Sequence, residues 1–406
     1  MRINQRFWFL LHGWFSLPIW LLFCFICLTG TIAVISHELT WLTNPLARAN
    51  NPQNLPAKPI PELIAAVQQQ VPDADVGHVM VLESYLVTAV SFASKDMPAA
   101  IAYVNPYTAD VQMINQGITF IGFMRTLHGW LLFPWQHHYS IGYYLVSAMS
   151  LVVLGALITG LVVYKRFWQA YTEKPRLRFA SGARVWLGDL HRLAGVWSLW
   201  FLLIIGLTGL WYLVQAMLWH NEVELGPETA PIAMTALPAS EAQIPQRVAF
   251  VQAYNTALQT LPALQPAWIA LPEHNRDYFS IAGAGDNFLF DQYAYRVQVN
   301  PWTGEVVSVQ TPATMTGLQT LAHIADPLHY GTIGGIWTKL LWFVFGLILT
   351  GMSITGFLIW SKRTFKTARE NHRAADKARR RRPLDASATT GEDAAREETV
   401  QRGTAP

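Results

Sequence analysis

The sequence predicts an α-helical membrane protein in which four spanning helices form two helix–loop–helix repeats, with a small α+β domain in each long loop. The first observation is composition, because 52% of the 406 residues are hydrophobic and only 14% are charged, against about 25% charged in an average soluble domain. The second is that four apolar segments reach the roughly 20 residues that a spanning helix needs. The third is that short motifs recur in the same order in both halves of the chain.

The same composition argues against several other classes of protein. A chain this apolar is not intrinsically disordered, and 2 cysteines in 406 residues do not make a disulfide scaffold. The 29 Lys and Arg nearly balance the 26 Asp and Glu, so the chain lacks the basic surface of a nucleic-acid-binding protein. We therefore expect a lipid bilayer and no nucleic acid among its partners.

The four apolar segments lie at residues 7–35, 141–164, 193–219 and 336–360, and no Asp or Glu interrupts them. Pro18 lies in the first segment, where a membrane helix tolerates proline. This segment is too long for a signal-peptide core and no small-residue cleavage site follows it, so we expect it to be retained. We assign spanning helices to 1–38, 139–166, 185–219 and 333–362, outer domains to 39–138 and 220–332, a loop to 167–184 and a tail to 363–406.

Basic residues predict the orientation of these helices. They are concentrated before the first segment, between the second and third, and after the fourth, where ten lie between Lys362 and Arg382. The long loops are acidic, with four basic against seven acidic residues in 38–138 and three against ten in 219–335. We expect a bacterial inner-membrane protein with both termini cytoplasmic and two periplasmic loops. The tail at 363–406 reads as a disordered basic segment near anionic lipid.

The internal repeat consists of matching motifs at matching spacings. In each half a Leu-His pair is followed sixteen residues after the His by Leu-Thr-Gly, and a second Leu-His precedes an apolar segment that ends in Ile-Thr-Gly. The motifs occur at 11–12 with 28–30, 190–191 with 207–209, 127–128 with 158–160, and 328–329 with 354–356. Asn-Pro turns at 105–111 and 300–306 also match. We predict outer-domain helices at 61–70 and 246–261, and strands at 76–82, 86–92, 100–104, 268–271, 278–282 and 294–299.

Four of the 12 histidines carry most of the functional information. His12 and His191 lie near the predicted cytoplasmic face, and His128 and His329 near the periplasmic face, at equivalent places in the repeat. Polar groups at membrane depth are functional candidates, and neutral imidazole is a metal ligand. Paired imidazoles at two depths are the arrangement expected of two stacked b-type haems. An interfacial role for each His is the alternative, and no Cys, Met or carboxylate cluster completes a copper or zinc site.

His37 is a further candidate, because it follows His12 by 25 residues. At 100° per residue, 25 residues place the two side chains within about 20° of one helix face. Other motifs carry little functional information. Cys24 and Cys27 form CxxC inside an apolar segment, where we expect them to serve in packing. The chain has no CxxCH motif and no nucleotide-binding loop, so an electron carrier of this kind must receive electrons from another molecule.

Together these motifs resemble the PepSY-associated transmembrane family. The resemblance covers residues 5–365 and includes the sequence Ser-His-Glu-Leu-x-Trp-Leu-x-Asn-Pro at 36–45. The family includes iron-regulated inner-membrane proteins and FoxB-type siderophore reductases. It implies four spanning helices with PepSY-like periplasmic domains, two b-type haems and the reduction of ferric iron taken up on siderophores. Carried onto matching positions, His12 pairs with His191 and His128 with His329 as haem ligands.

The resemblance leaves three secondary candidates and two rival functions. His37 is an alternative ligand at the periplasmic site, and Arg192 and Arg125 could contact haem propionates, although arginines near membrane faces also snorkel. The expected function is a di-haem reductase that takes electrons from quinol or a cytoplasmic reductase and passes them to a ferric siderophore. A non-enzymatic membrane-anchored module that binds an envelope protein is the main rival. A metal transporter is disfavoured because no carboxylate lines the helices.

Overall fold

The computed structural model describes residues 4–164, 167–172, 177–237 and 248–380. Within these ranges, four helical stretches are long and apolar enough to span a membrane, in agreement with the four predicted spans. They are Gln5–Val34, Ile141–Val163, Leu199–His220 and Gly335–Asp376. The predicted basic run at 379–382 and the start of the predicted helix at 246–261 lie partly outside the described residues.

The first stretch is built from two helices separated by a break, and the third stretch is preceded by a separate helix. α1 (Gln5–Ser16) leads through a 3₁₀ turn at Leu17–Ile19 into α2 (Trp20–Val34), and α8 (Ala183–Trp197) leads through Ser198 into α9 (Leu199–His220). Pro18 accounts for the first break, because it has no N–H to continue the helical ladder. A short helix, α3 (Ser36–Thr43), follows α2 after an irregular residue at Ile35.

The second and fourth stretches are α6 (Ile141–Val163) and α12 (Gly335–Arg380), with a single turn, α7 (Gln169–Thr172), after α6. At 46 residues α12 is about 69 Å long, more than twice the thickness of a bilayer core of about 30 Å. The prediction that the spanning helix ends at 362 and is followed by a disordered tail is therefore wrong for 363–380, which are helical. Lys, Arg and Glu favour helix, which explains the continuation. Residues 381–406 lie outside the described part of the chain.

The outer loops together form a single eight-stranded antiparallel sheet with the order β4-β3-β2-β1-β5-β6-β7-β8. The expectation of two separate α+β domains is corrected here, because β1 pairs directly with β5 through His78–Ala270, Val79–Ile269 and Met80–Trp268. Each half also contributes four strands rather than three. The strands are β1 (Asp75–Met80), β2 (Thr88–Ala93), β3 (Ala100–Val104), β4 (Val111–Asn115), β5 (Gln265–Ala270), β6 (Phe279–Ala284), β7 (Tyr295–Val299) and β8 (Val306–Gln310).

One hydrophobic core runs under the whole sheet. α4 (Ile60–Gln70) and α10 (Phe250–Thr260) pack on the same face, and the fully buried Leu63, Val79 and Ile269 belong to one cluster with residues of both halves. Burying a side chain of this size stabilises the fold by about 1.5–3 kcal/mol. Because Val79 and Ile269 face each other across the pairing of β1 with β5, this core holds the two halves of the sheet together.

Two short helices connect the sheet to the spans. α5 (Phe120–Trp130) follows β4, and α11 (Gly317–Tyr330) follows β8; α5 packs on α2 and α11 on α9. Each ends at a residue in the left-handed region, Leu131 with φ 54° and Gly331 with φ 72°. The Leu-His motifs at 127–128 and 328–329, which precede the second and fourth apolar segments, lie in these two separate helices. Both helices end before the following spans begin.

The spans pack in two corresponding sets. α6 contacts α9 and α1, and α12 contacts α2 and α8. Small residues allow the close approaches that helix packing in membranes requires. A side chain at Gly155 would collide with the ring of Phe15, and one at Gly206 would collide with Leu154. At one end of the spans the helices that carry Leu-His are α1 and α8, and at the other end they are α5 and α11. At each end the two helices face each other.

Candidate functional site

The structure brings His12 and His191 together at the end of the spans far from the sheet; we call these two residues the far-side pair. Their ring centroids are 6.3 Å apart and the ring planes are inclined at 83°. Each ring is held by a threonine of a neighbouring span. Nδ1 of His12 lies 3.0 Å from Oγ1 of Thr159 on α6, and Nδ1 of His191 lies 3.0 Å from Oγ1 of Thr355 on α12.

His128 on α5 and His329 on α11 form the second pair, at the end of the spans next to the sheet; we call these the sheet-side pair. Their ring centroids are 6.4 Å apart and the planes are inclined at 24°. Threonines again hold the rings. Oγ1 of Thr208 on α9 lies 2.8 Å from Nδ1 of His329, and Oγ1 of Thr29 on α2 lies 3.4 Å from Nδ1 of His128.

A glycine follows each of these threonines, and three of the glycines lie next to a histidine ring. A Cβ added at Gly30 would lie 2.6 Å from Cε1 of His128, a distance that real contacts do not reach. At Gly160 the corresponding distance to His12 would be 3.4 Å, and at Gly356 the distance to His191 would be 3.5 Å. Gly209 differs, because its neighbour is Ser150. The Leu/Ile-Thr-Gly motifs therefore supply a hydroxyl at all four sites, and Gly30 also supplies clearance that its ring requires.

The two pairs lie near opposite ends of the spans. Thr29, which holds the sheet-side ring, follows His12 of the far-side pair by 17 residues, and Thr208 follows His191 by the same number. Seventeen helical residues rise about 25 Å, which approaches the roughly 30 Å thickness of the hydrocarbon core. Each pair is thus placed close to one face of a bilayer.

The spacing within each pair fits a six-coordinate iron held between two imidazoles. With metal–nitrogen bonds of about 2.0 Å and roughly 1.2 Å from each nitrogen to its ring centre, two coaxial imidazoles need about 6.4 Å between centroids. Both pairs meet that distance. Across the described ranges, no group of three or more His, Cys, Asp or Glu side chains forms a metal site. Two imidazoles alone are too few for tetrahedral zinc, whereas haem brings four equatorial nitrogens of its own.

His37 belongs to neither pair. Its Nδ1 lies 2.5 Å from Oε2 of Glu83, in the loop between β1 and β2. Glu83 also accepts a hydrogen bond from Lys339 at 3.0 Å, and Lys339, whose side chain is 6% exposed, pairs with Glu38 at 2.6 Å. Burial by itself would raise the pKa of Glu83, but the hydrogen bond and charge of His37, with the charge of Lys339, lower it to about 2. This cluster joins the sheet to α3 and α12.

The two arginine candidates occupy opposite ends of the bundle. Arg192 follows His191 on α8, donates to the buried carboxylate of Asp189, and places its guanidinium carbon 5.9 Å from the ring centroid of Tyr164. Arg178 donates to the same carboxylate at 2.8 and 2.9 Å. Arg125 lies three residues before His128 on α5, within electrostatic range of Asp326. Each arginine is therefore close in sequence to one member of a histidine pair.

A polar cluster beside His329 was not foreseen from the sequence. Tyr212 donates to Oδ1 of Asp326 at 2.8 Å, and its ring centroid lies 5.0 Å from that of His329. Burial raises the pKa of Asp326 to about 6, in spite of the hydrogen bond from Tyr212. Nearby, Nδ1 of His323 lies 3.0 Å from both oxygens of Asp291. The available signal was spacing, because Asp326 and His329 are three residues apart on one face of α11.

Comparison with known proteins gives one finding at the level of the family. The model of a family described as the PepSY-associated TM region matches residues 9–363. No curated protein matches the chain. Since the match covers most of the chain, the protein belongs to this family, and the membership predicted from its motifs is confirmed.

Proposed function

We propose that this member of the PepSY-associated TM family is a di-haem membrane reductase, which passes electrons across a bilayer to a ferric chelate. The observation that carries the proposal is the pair of facing histidines at each end of the spans, with centroid separations of 6.3 and 6.4 Å. Haem, when bound, supplies reversible one-electron chemistry at its iron. The protein supplies the axial ligands, their orientation and an apolar surrounding.

Each residue has a defined role in this proposal. His12 and His191 would hold the far-side iron, and His128 and His329 would hold the sheet-side iron. Arg192 and Arg125 are the cations nearest in sequence to a ligand of each pair, and guanidinium groups suit the carboxylates of haem propionates. The apolar spans between the pairs would keep water away from the two haems, which favours electron transfer over side reactions.

The charge pattern supports an orientation of the two pairs in the membrane. Basic residues at both ends of the chain and in the loop between α6 and α8 support a cytoplasmic location for the far-side pair. The acidic outer loops support a periplasmic sheet in a bacterial inner membrane. Electrons would then enter from quinol or a cytoplasmic reductase and leave to a ferric siderophore. Reduction releases iron because hard oxygen ligands hold Fe(III) more tightly than the less charged Fe(II).

The test is the visible spectrum of the purified full-length protein. We expect a reduced-minus-oxidised difference spectrum with the Soret and α bands of low-spin b-type haem, and two haems per chain by pyridine haemochrome. One haem per chain would restrict the proposal to a single site and remove transmembrane transfer. A colourless protein that takes up no added haem would contradict the proposal and favour the rival function, a membrane-anchored module that binds another envelope protein.

A further inference from the structure

We infer that the threonine of each Leu/Ile-Thr-Gly motif is a positioning residue that holds its facing histidine as the Nδ1–H tautomer and leaves Nε2 free for iron. The inference deepens the proposed function and rests on it. Four contacts of the same kind support it, two at each end of the spans. They are Thr29 with His128, Thr159 with His12, Thr208 with His329, and Thr355 with His191.

The first step concerns the hydroxyl hydrogens. A threonine hydroxyl has one hydrogen, and within a helix it can donate that hydrogen to a carbonyl three or four residues earlier. Thr159 donates to the carbonyl of Gly155 at 2.6 Å, and Thr208 donates to that of Ile204 at 2.8 Å. Thr29 and Thr355 likewise donate at 3.1 Å, to carbonyls three residues earlier. Each Oγ1 is left with lone pairs only, so it can only accept from the imidazole.

The second step concerns a main-chain carbonyl beside three of the rings. The carbonyl oxygens of Ala156, Ile26 and Met352 lie close to the rings of His12, His128 and His191, respectively, and favour an N–H on the nitrogen that faces them. Each of these residues lies three positions before the threonine that holds the same ring. The carbonyls of Ile26 and Met352 also accept the hydroxyl hydrogen of that threonine, so the hydroxyl and the carbonyl form one acceptor site for the imidazole N–H.

The third step concerns Nε2, the ring nitrogen that the threonine does not contact. A neutral imidazole carries one hydrogen, so a proton on Nδ1 leaves the lone pair on Nε2. In metal sites the outer hydrogen bond of a ligating histidine fixes the tautomer and ring orientation and makes the ligand more basic. A more basic ligand stabilises the higher charge of Fe(III), so loss of the bond should raise the reduction potential. The four bonds differ in length, and the 3.4 Å contact of Thr29 should have the smallest influence.

Thr208 gives the sharpest test, because its contact with His329 is the shortest of the four, at 2.8 Å. Thr208→Val removes the hydroxyl and keeps the shape, whereas Thr208→Ser keeps the hydroxyl. Thr350→Val is the matched control, because Thr350 is also buried, on α12. Within the described residues, the only hydrogen bond of its side chain is the one that its hydroxyl donates to the carbonyl of Gly346. The readouts are haem affinity and the midpoint potentials of the two haems.

We expect Thr208→Val to lower haem affinity at one site about 10-fold or more, and to raise the potential of that haem alone. Thr208→Ser should restore both values to near wild type, and Thr350→Val should leave both unchanged. Unchanged affinity and potential in Thr208→Val would overturn the inference. An equal effect of Thr350→Val would also overturn it, since a hydroxyl without a facing imidazole would then matter as much.

A second measurement separates this inference from the proposed function. Nitrogen-15 spectra of the histidines in haem-free full-length protein report which ring nitrogen carries the hydrogen. We expect the Nδ1–H tautomer at all four positions, with a change at His329 alone in Thr208→Val. Wild-type protein that binds no haem but shows this pattern would contradict the reductase and keep the threonine role. Nε2–H tautomers at these positions would overturn the threonine role whatever the haem content.

Discussion

The far-side and sheet-side pairs use the same threonine contacts and nearly the same ring separation, yet their rings are oriented differently. The planes are inclined at 83° in the far-side pair and at 24° in the sheet-side pair. His12 and His191 lie on α1 and α8, which lead directly into spans, whereas His128 and His329 lie on the connecting helices α5 and α11. Similar threonine contacts therefore accompany different ring planes, and the type of helix that carries the histidine is what differs between the pairs.

The surroundings of the two pairs differ as well. Beside the far-side pair, the carboxylate of Asp189 lies between two guanidinium groups, those of Arg178 and Arg192. Beside the sheet-side pair, Tyr212 joins the ring of His329 to the carboxyl group of Asp326. Equal ring separations within the pairs therefore do not make the two sites equivalent. Four experiments test how the sites differ.

Removal of one ligand should produce the largest effect. His191→Ala should abolish the far-side haem and His329→Ala the sheet-side haem, so that each variant keeps about half of the wild-type haem by pyridine haemochrome. The double variant should contain none. His78→Ala is the control, because His78 stacks on Trp268 within the sheet, 4.6 Å between centroids. Loss of both haems in either single variant would show that the pairs are not independent.

A larger side chain at the glycines should have the next largest effect, and it should affect the two pairs to different extents. Gly30→Ala puts a methyl group 2.6 Å from His128, so the ring or α2 must move, and overpacking of this kind costs about 1–3 kcal/mol. We expect haem affinity at the sheet-side site to fall by about one order of magnitude. Gly160→Ala is the matched variant, since its methyl group would lie 3.4 Å from His12 and can be accommodated by a small shift. Equal losses in the two variants would refute this account.

The ring planes should give a spectroscopic difference without any mutation. Parallel imidazoles interact with the same iron d orbital and split the d levels strongly, whereas perpendicular imidazoles interact with two orbitals and leave them nearly equal in energy. The oxidised protein should therefore show two low-spin electron paramagnetic resonance signals, one rhombic and one highly anisotropic. His191→Ala should remove the anisotropic signal. Two identical signals would mean that the ring planes are alike once haem is bound.

The smallest expected effect is a dependence on acid that begins at the sheet-side end. The pKa of Glu83 is lowered to about 2 from 4.5, so its pairing with His37 and Lys339 stabilises the fold above about pH 4.5. That stabilisation is lost as the pH falls towards 2. Asp326 acts with the opposite sign, because its pKa is raised to about 6 from 3.8, and stability falls as the pH rises between those values.

Comparison of Glu83→Gln with wild type isolates the first effect. Thermal unfolding should show a smaller loss of stability between pH 4.5 and 3 in Glu83→Gln, because this side chain no longer titrates. In the wild type, acid should weaken haem retention at the sheet-side site before the far-side site. The same acid sensitivity in Glu83→Gln would show that other carboxylates govern this range.

The sequence was enough to predict the spans and the grouping of the histidines. Apolar length located the spans, and the repeated spacing of Leu-His and Leu-Thr-Gly motifs matched His12 with His191 and His128 with His329. The threonines were visible as parts of the motifs, but each contacts a histidine on another element, 99 or more residues away in the chain. No local pattern reveals a hydrogen bond of that kind.

Other features depended on tertiary structure. His37 would share a face with His12 only on one continuous helix, but the chain is irregular at Leu17–Ile19 and again at Ile35. The helices α5 and α11 are short, so the hydrophobic periodicity of their sequences is too brief to distinguish them from connecting loops. The pairing of β1 with β5 joins residues about 190 positions apart, and strands this distant carry no mutual signal in one sequence.

The pairing of β1 with β5 also has a consequence for synthesis. Ribosomes add about 5–20 residues per second, so the partner strand emerges roughly 10–40 seconds after β1. During that interval the first half-sheet has an open edge, which can pair with a neighbouring nascent chain. The paired register covers His78 to Met80 opposite Trp268 to Ala270, and hydrogen bonds from Val81 to Ala267 and from Leu271 to Gly77 extend it by one residue at each end. Because this ladder is short, the open edge of β1 offers few hydrogen bonds to another chain. The correct partner strand belongs to the same chain, which favours the native pairing.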